Sequence, residues 1–327
     1  MFSLGVTRRG MAVAVLLMAL LAMPTPVGSR EPGKSLSNSV NRIVNLYDAF
    51  GYEKRGTILD WGFSAFIRYD GKTILFDSGS QADVLAHNAR ALGVDLRKID
   101  FAVLSHRHAD HASGFDYLLK VNPSVKLYLP NDRALGAPEH WRFARPPEAV
   151  QVSPEELYWG GKQTTIEYKS SGRFWNAHAD WVTAVKEIAP GVFVVPTPGA
   201  MLGDFSKYPP NEESPELTGL PELSLALKTT RGAVLIVGCA HSRVEAIVVE
   251  TKKRLNTNVE LLAGGFHLLP YSAEYITELA GKLKNALGVR RIAPAHCTGV
   301  QACQIFKRIY GDDYSYAGLE AEISFLP

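Results

Sequence analysis

Cysteine is scarce in this chain: Cys239, Cys297 and Cys303 are the only three among 327 residues. That is too few for a disulfide framework, so the fold must hold itself together by apolar packing, and an odd count leaves at least one thiol outside any bridge. A small, buried, apolar role is the default for each. An excess of one charge is also missing, with 35 Lys plus Arg against 33 Asp plus Glu and a formal net charge of +2. There is no long basic run or stripe either, so a nucleic-acid partner is not expected. The apolar run from Met11 to Met23 falls short of the roughly 20 residues that span a bilayer as a helix.

That run follows Arg8 and Arg9 and precedes Pro24, Pro26 and small residues. A charged, then apolar, then small-residue order is that of a signal peptide, here residues 1–29, with Val27 and Ser29 before a cut near Arg30. The expectation is an exported, periplasmic or secreted protein without a stable membrane anchor after cleavage, and the paired arginines hint at the twin-arginine route.

What remains is ordinary for a globular chain, 46% hydrophobic and 21% charged. Residues 30–327 are expected to form one domain. Phe63 to Tyr69 and Thr73 to Phe76 alternate around Asp70-Gly71, a hairpin signal. Residues Gln81 to Leu92 have helical spacing that stops at Gly93, and a short buried strand follows at Phe101 to Leu104. Between about Ala134 and Ala189 the periodicity fades while Trp141, Trp159, Trp175 and Trp181 accumulate. That stretch reads as an irregular insertion expected to border a binding site. Apolar strands return at residues 233–237, 259–263 and 291–293, with a helical pattern from Ser272 to Leu287 between the last two. Strands alternating with helices, together with hairpins, indicate a layered α/β protein.

The chemistry concentrates in Ser105-His106-Arg107-His108-Ala109-Asp110-His111, at the end of an apolar strand. Imidazole nitrogens and a carboxylate are donors that zinc accepts readily. Residues two apart point the same way along an extended chain, so His106 and His108 can share one ion, with Asp110 and His111 offset towards a second. His241, His267 and His296 each follow an apolar strand and a few small residues. The carboxyl ends of neighbouring strands lie together in α/β sheets, which lets these imidazoles converge on the first cluster. His87, His140 and His178 lack that context and are expected elsewhere.

His106, His108, Asp110 and His111 match the His-x-His-x-Asp-His motif, and from about residue 57 onward the chain resembles the metallo-β-lactamase superfamily. Asp77, in the turn Leu75-Phe76-Asp77-Ser78-Gly79, matches the family's preceding aspartate. Gly238-Cys239-Ala240-His241, Gly264-Gly265-Phe266-His267 and His296-Cys297-Thr298-Gly299 resemble the branch named for dihydropterin-ribofuranosylaminobenzene-phosphate synthase. The resemblance implies an αββα sandwich and two divalent ions, with zinc expected and manganese or iron as alternatives. One departure stands out. Thr197-Pro198-Gly199 is followed by Ala200, where the wider superfamily often has a ligating histidine, so His241 is the expected substitute. His241 also stands near the place of the superfamily's frequent bridging aspartate, and because it cannot bridge two ions as a carboxylate does, hydroxide alone is the expected bridge.

The expected assignment gives His106, His108 and His241 to one ion and Asp110, His111 and His296 to the other. His267 is then left over, behind the ligands or facing substrate, the rival reading making His267 a ligand and moving His241 behind it; Asp110 and His267 are the catalytic candidates. Such a centre activates water for hydrolysis, here of a small ester or phosphoester. The competing readings are a transferase of pterin cofactor synthesis and a non-catalytic metal-dependent binding protein.

Overall fold

The computed structural model of the chain describes residues 40–132, 135–136, 140–145, 150–169, 177–197 and 220–326. The expected signal peptide, Trp175 and the turn from Pro198 to Ala200 therefore lie outside the described residues.

The chain opens with β1 (Arg42–Tyr47), then the hairpin of β2 (Ser64–Tyr69) and β3 (Lys72–Phe76). Asp70 and Gly71 both take positive φ, at 46° and 76°. That is the conformation a two-residue hairpin turn requires, and it sets Tyr69 opposite Lys72. Helix α1 (Ala82–Ala91), β4 (Phe101–Val103), α2 (Ala109–Ala112), α3 (Phe115–Val121) and β5 (Lys126–Pro130) follow. Then come β6 (His140–Arg145), β7 (Thr164–Lys169), β8 (His178–Val182), β9 (Lys186–Ala189) and β10 (Val192–Thr197). The last third holds β11 (Glu222–Thr229), β12 (Gly232–Val237), α4 (Val244–Leu255), β13 (Val259–Gly265) and α5 (Ala273–Gly281). It ends with β14 (Arg291–Ala295), α6 (Val300–Tyr310) and β15 (Glu322–Ser324).

Two sheets result, ordered β15-β1-β2-β3-β4-β5-β8 and β14-β13-β12-β11-β10-β9, with β6 and β7 paired apart from them. Side chains of one strand alternate between two buried faces, so the strands read as apolar runs. On β3, Ile74 and Phe76 face the second sheet's Leu225, Val234 and Ile236, while Leu75 packs with Leu85 of α1 and Phe115 of α3. On β12, Leu235 and Val237 turn outward to Ile247 of α4, Ile276 of α5 and Phe306 of α6. Helices thus cover both outer faces, which makes the αββα sandwich. Each buried Leu, Ile or Phe contributes about 1.5–3 kcal/mol of transfer free energy to it.

The stretch expected to be irregular contains four strands. Strand β8 extends the first sheet beside β5, and β9 is the edge of the second beside β10. Both are short edge strands with largely polar or part-exposed residues, so they show no apolar alternation in the sequence.

Candidate metal centre

Parallel pairing brings the chemistry together. Strands β3, β4 and β5 run parallel in one sheet, and β12, β13 and β14 in the other, so their carboxyl ends lie side by side. Beyond β4 the chain stays extended through His108, then turns into α2, where the His111 N–H donates to the His108 carbonyl at 3.0 Å. That single turn redirects Asp110 and His111, yet the His111 ring stays as near to that of His106 (4.2 Å) as the His108 ring does (4.6 Å). His241, His267 and His296 arrive from the ends of β12, β13 and β14. The turns that deliver them are tight, with positive φ at Asp77 (57°), Ala240 (56°), His267 (52°) and His296 (47°). Such conformations cost of order 1–3 kcal/mol each and cluster where function requires them.

Five overlapping groups of three donors form among the described residues: two correspond to the expected assignment, and the others are His106, His111 and Cys239, then Cys239, His296 and Cys297, and Cys239, His241 and His267. His106, His108 and His241 have one ligand atom each within 4.8 Å of the others, and so do Asp110, His111 and His296. In the first group, His106 Nε2 lies 3.0 Å from His108 Nδ1, and the His241 ring stands 4.9 Å and 4.8 Å from theirs. In the second, Asp110 Oδ2 is 3.8 Å from His111 Nε2 and 3.4 Å from His296 Nε2. The His106 and His111 rings, 4.2 Å apart, join the groups. His267 sits beside His241, ring centroids 4.2 Å apart, and both His267 and His108 are only half-buried.

Asp77 sets the tautomers. Its buried carboxylate only accepts, so His111 Nδ1, 2.7 Å from Oδ2, must donate, leaving the lone pair on Nε2 facing Asp110. Asp77 also accepts from the Ser105 N–H at 2.6 Å and the Ser105 hydroxyl at 2.7 Å. With its hydrogen spent there, the hydroxyl accepts from His106 Nδ1 at 2.8 Å, which turns the His106 Nε2 lone pair towards His108. One carboxylate thereby orients an imidazole in each group. Partners of this kind typically set metal affinity by 10- to 100-fold. Asp77→Asn is expected to weaken metal binding by about that factor in a chelator competition. Unchanged affinity in the folded variant would remove this role.

The electrostatics suit cations. Burial, reinforced by neighbouring imidazoles, holds His106 and His241 far below the ordinary histidine value, and burial takes His108 to about 3. Neutral rings with free lone pairs are the form a metal takes. Burial pushes the Asp110 carboxyl up, but His111 and His296 outweigh it and leave it well below the carboxylate range. His296 differs: burial lowers it, yet Cys297 and Asp110 prevail and lift it to about 9. A cation bound between Asp110 and His296 would displace that proton. Neutral imidazoles, one carboxylate and a buried His296 whose Nδ1 has no hydrogen-bond partner together fit divalent ions of the zinc type.

Several functional neighbours carried no readable signal. The Asp48 carboxylate accepts the backbone N–H of His296 at 2.9 Å, across 248 residues, and burial raises it to about 7. Glu222, likewise raised to about 7 by burial, accepts the N–H groups of His241 at 2.9 Å and Ser242 at 2.7 Å. Each is a single acid in an unremarkable context. The default apolar role for the cysteines needs correction for two of them. Cys239 Sγ lies 3.1 Å from His111 Nε2 and 3.2 Å from Cys297 Sγ. For Cys239 the Gly-Cys-x-His spelling at a strand end was an available signal.

The aromatic stretch reaches the site through one segment. The Tyr158 hydroxyl donates to the His296 carbonyl, and Trp159 stacks on Trp61, whose ring is 4.9 Å from that of His296. Ile166 of β7 packs with Trp61, Cys239 and Cys297. Trp181 instead stands 40% exposed on β8, and Trp141 lies on β6, its side chain outside the described residues. His87 binds the Gly56 carbonyl at 2.7 Å and His178 is exposed on β8, neither of them in the donor groups.

An αββα sandwich carrying a histidine and aspartate cluster across the carboxyl ends of its two sheets defines a class of α/β metalloproteins. The chain belongs to the metallo-β-lactamase superfamily, which it matches over residues 62–254. It is similar to the 7,8-dihydropterin-6-methyl-4-(β-D-ribofuranosyl)-aminobenzene-5'-phosphate synthase of Methanocaldococcus jannaschii, at 27% identity over 74% of this chain and 81% of the relative. Among solved structures it resembles Tm1679, described as a metal-dependent hydrolase of the β-lactamase superfamily. The identity there is 25%, the TM-score 0.64, and the match covers 88% of this chain and 100% of the other. YhfI of Bacillus subtilis shares the fold at 12% identity and a TM-score of 0.52, over 87% of this chain and 99% of that one.

Proposed function

We propose that the protein is an exported hydrolase that uses two divalent ions, zinc by donor chemistry, on a small ester or phosphoester. The observation that carries this reading is the pair of three-donor groups meeting at the sheet ends, His106, His108 and His241 beside Asp110, His111 and His296. Bound there, such ions lower the pKa of water towards about 7 and polarise the bond to be cleaved. The protein's own part is positional. Asp77 and Ser105 orient the rings, while Glu222 and Asp48 pin the turns that carry His241 and His296. Trp61 closes the His296 side of the site. His267, half-buried at the edge of the cluster, is placed to exchange a proton with a leaving oxygen.

The similarity to a synthase that makes a dihydropterin compound supports a second reading, a transferase built on the same centre. The order of residues 1–29 favours the hydrolase, since pterin cofactor synthesis is expected inside the cell. A substrate panel on zinc- or manganese-loaded protein separates the two. Hydrolysis of a chromogenic phosphodiester, phosphomonoester, lactone or β-lactam is expected, abolished by chelator and restored by metal at two equivalents per chain. A panel silent in every arm, with coupled product formed when a dihydropterin and an aminobenzene riboside phosphate are offered, would replace the hydrolase with the transferase. Recovery of cytoplasmic protein still bearing residues 1–29 would overturn export.

A further inference from the structure

We propose that a cavity at the end of β10 is a second small-molecule site, separate from the metal centre, for an uncharged and mainly apolar molecule with one hydrogen-bonding atom. It lies where the stretch between β8 and β9 approaches α4, and its volume is about 310 Å³. That is the lower end of the range of about 300–1,000 Å³ in which small-molecule sites fall.

Thr197, the last residue of β10, supplies the polar atom. Alternation along the strand puts it on the side of Val195, which packs with Ile247 and Val248 of α4, and Glu250 and Arg254 of the same helix line the cavity. Thr197 is only 6% exposed, and its hydroxyl has no hydrogen-bond partner among the described residues. A buried hydroxyl in that condition carries the cost of its lost hydration, which a molecule bonding to it from outside offsets. Opposite Thr197 on β11 stands Glu222, whose two carboxylate oxygens accept the N–H groups of His241 at 2.9 Å and Ser242 at 2.7 Å. Pro196 and Pro221 precede the two and have no N–H to offer.

The rest of the lining sets the chemistry of the occupant. Val182 and Leu223 are buried, while Val185, Pro196 and Pro221 are half-buried, and together they make apolar walls. The charged lining residues are already engaged: Arg254 Nε pairs with Glu250 Oε1 at 2.5 Å, and the Glu222 oxygens hold their two N–H groups. A charge brought in would lose hydration without gaining a partner, so carboxylates and ammonium ions are disfavoured. A threonine hydroxyl can donate or accept, which fits a short aliphatic amide, alcohol or ester. Asn131 and Thr183, both exposed, mark the open side. Glu222 belongs to both places, since it pins the turn at His241 and also lines the cavity. An occupant would stand one side chain from the metal centre.

Pentanamide is a suitable probe, with pentanoate and pentylammonium as charged molecules of similar length. Titrated into the full-length protein, pentanamide is expected to shift the methyl resonances of Val182, Val185 and Leu223, alike in chelator-stripped and zinc-loaded samples, and to bind more tightly than either charged probe. Thr197→Val keeps the shape and removes the hydroxyl, and should weaken binding by about 2- to 10-fold. Ala184→Trp, which adds an indole to the lining, should abolish the shifts, and it serves if the valine variant fails to fold. Methyls unmoved by pentanamide near its solubility limit would show a cavity that takes water only, and would overturn the proposal. So would equal affinity in Thr197→Val, or tighter binding of a charged probe. Shifts that appear only with zinc bound would place pentanamide at the metal centre and overturn it as well. A protein that binds pentanamide but takes up no metal would keep this site and lose the hydrolase.

Discussion

Asp110→Asn is expected to lower the hydrolytic rate by about 10³-fold or more and to cost the protein one metal equivalent. The carboxylate stands 3.8 Å from His111 Nε2 and 3.4 Å from His296 Nε2, and among the six donors of the two groups it is the only anion. Asparagine keeps the shape and removes the charge. What remains around that position is His111 and His296, and His296 already tends to hold its proton. A metal site contributes several kcal/mol of transition-state stabilisation, and each 1.36 kcal/mol is a factor of about ten, so losing one ion accounts for a factor of this size. Elemental analysis and initial rates on the folded variant check the result. Two retained equivalents with a rate within tenfold of the parent would show that Asp110 does not hold the second ion.

His267→Ala is expected to behave differently: metal content close to normal, with a rate loss on the order of 10²-fold or more. His267 groups with Cys239 and His241 and not with His106 and His108, lies 4.2 Å from the His241 ring and is part-exposed where His241 is buried. An imidazole there can transfer a proton without serving as a ligand. The contrast is with His241→Ala, which should lose an equivalent, because His241 completes the group with His106 and His108. Loss of an equivalent from His267→Ala, with both ions kept by His241→Ala, would exchange the two roles. The positive φ of 52° at His267 is equally strained for alanine, so a thermal melt should show little difference between variant and parent.

How much of this could be read from the chain differs residue by residue. His106 through His111 were legible because four donors in six residues at a strand end have few structural explanations. The hairpin at Asp70-Gly71 was legible because its turn needs residues that tolerate positive φ. The convergence of His241, His267 and His296 could be expected because parallel strands align their carboxyl ends, as β12, β13 and β14 do. Strands β8 and β9 were not legible, since edge strands need no apolar alternation to pair.

The sequence by itself determined the donor chemistry, the strand ends that carry it and the layered class, because residue type and local periodicity are properties of short stretches. Tertiary structure alone decided which donors meet and in what protonation state. Asp77 orders His111 directly and His106 through Ser105, Asp48 holds His296 from 248 residues away, and Gly238 leaves room for Cys239 to reach His111. Distances, tautomers and burial depend on residues far apart in the chain, and only the packing of the two sheets brings those residues into contact.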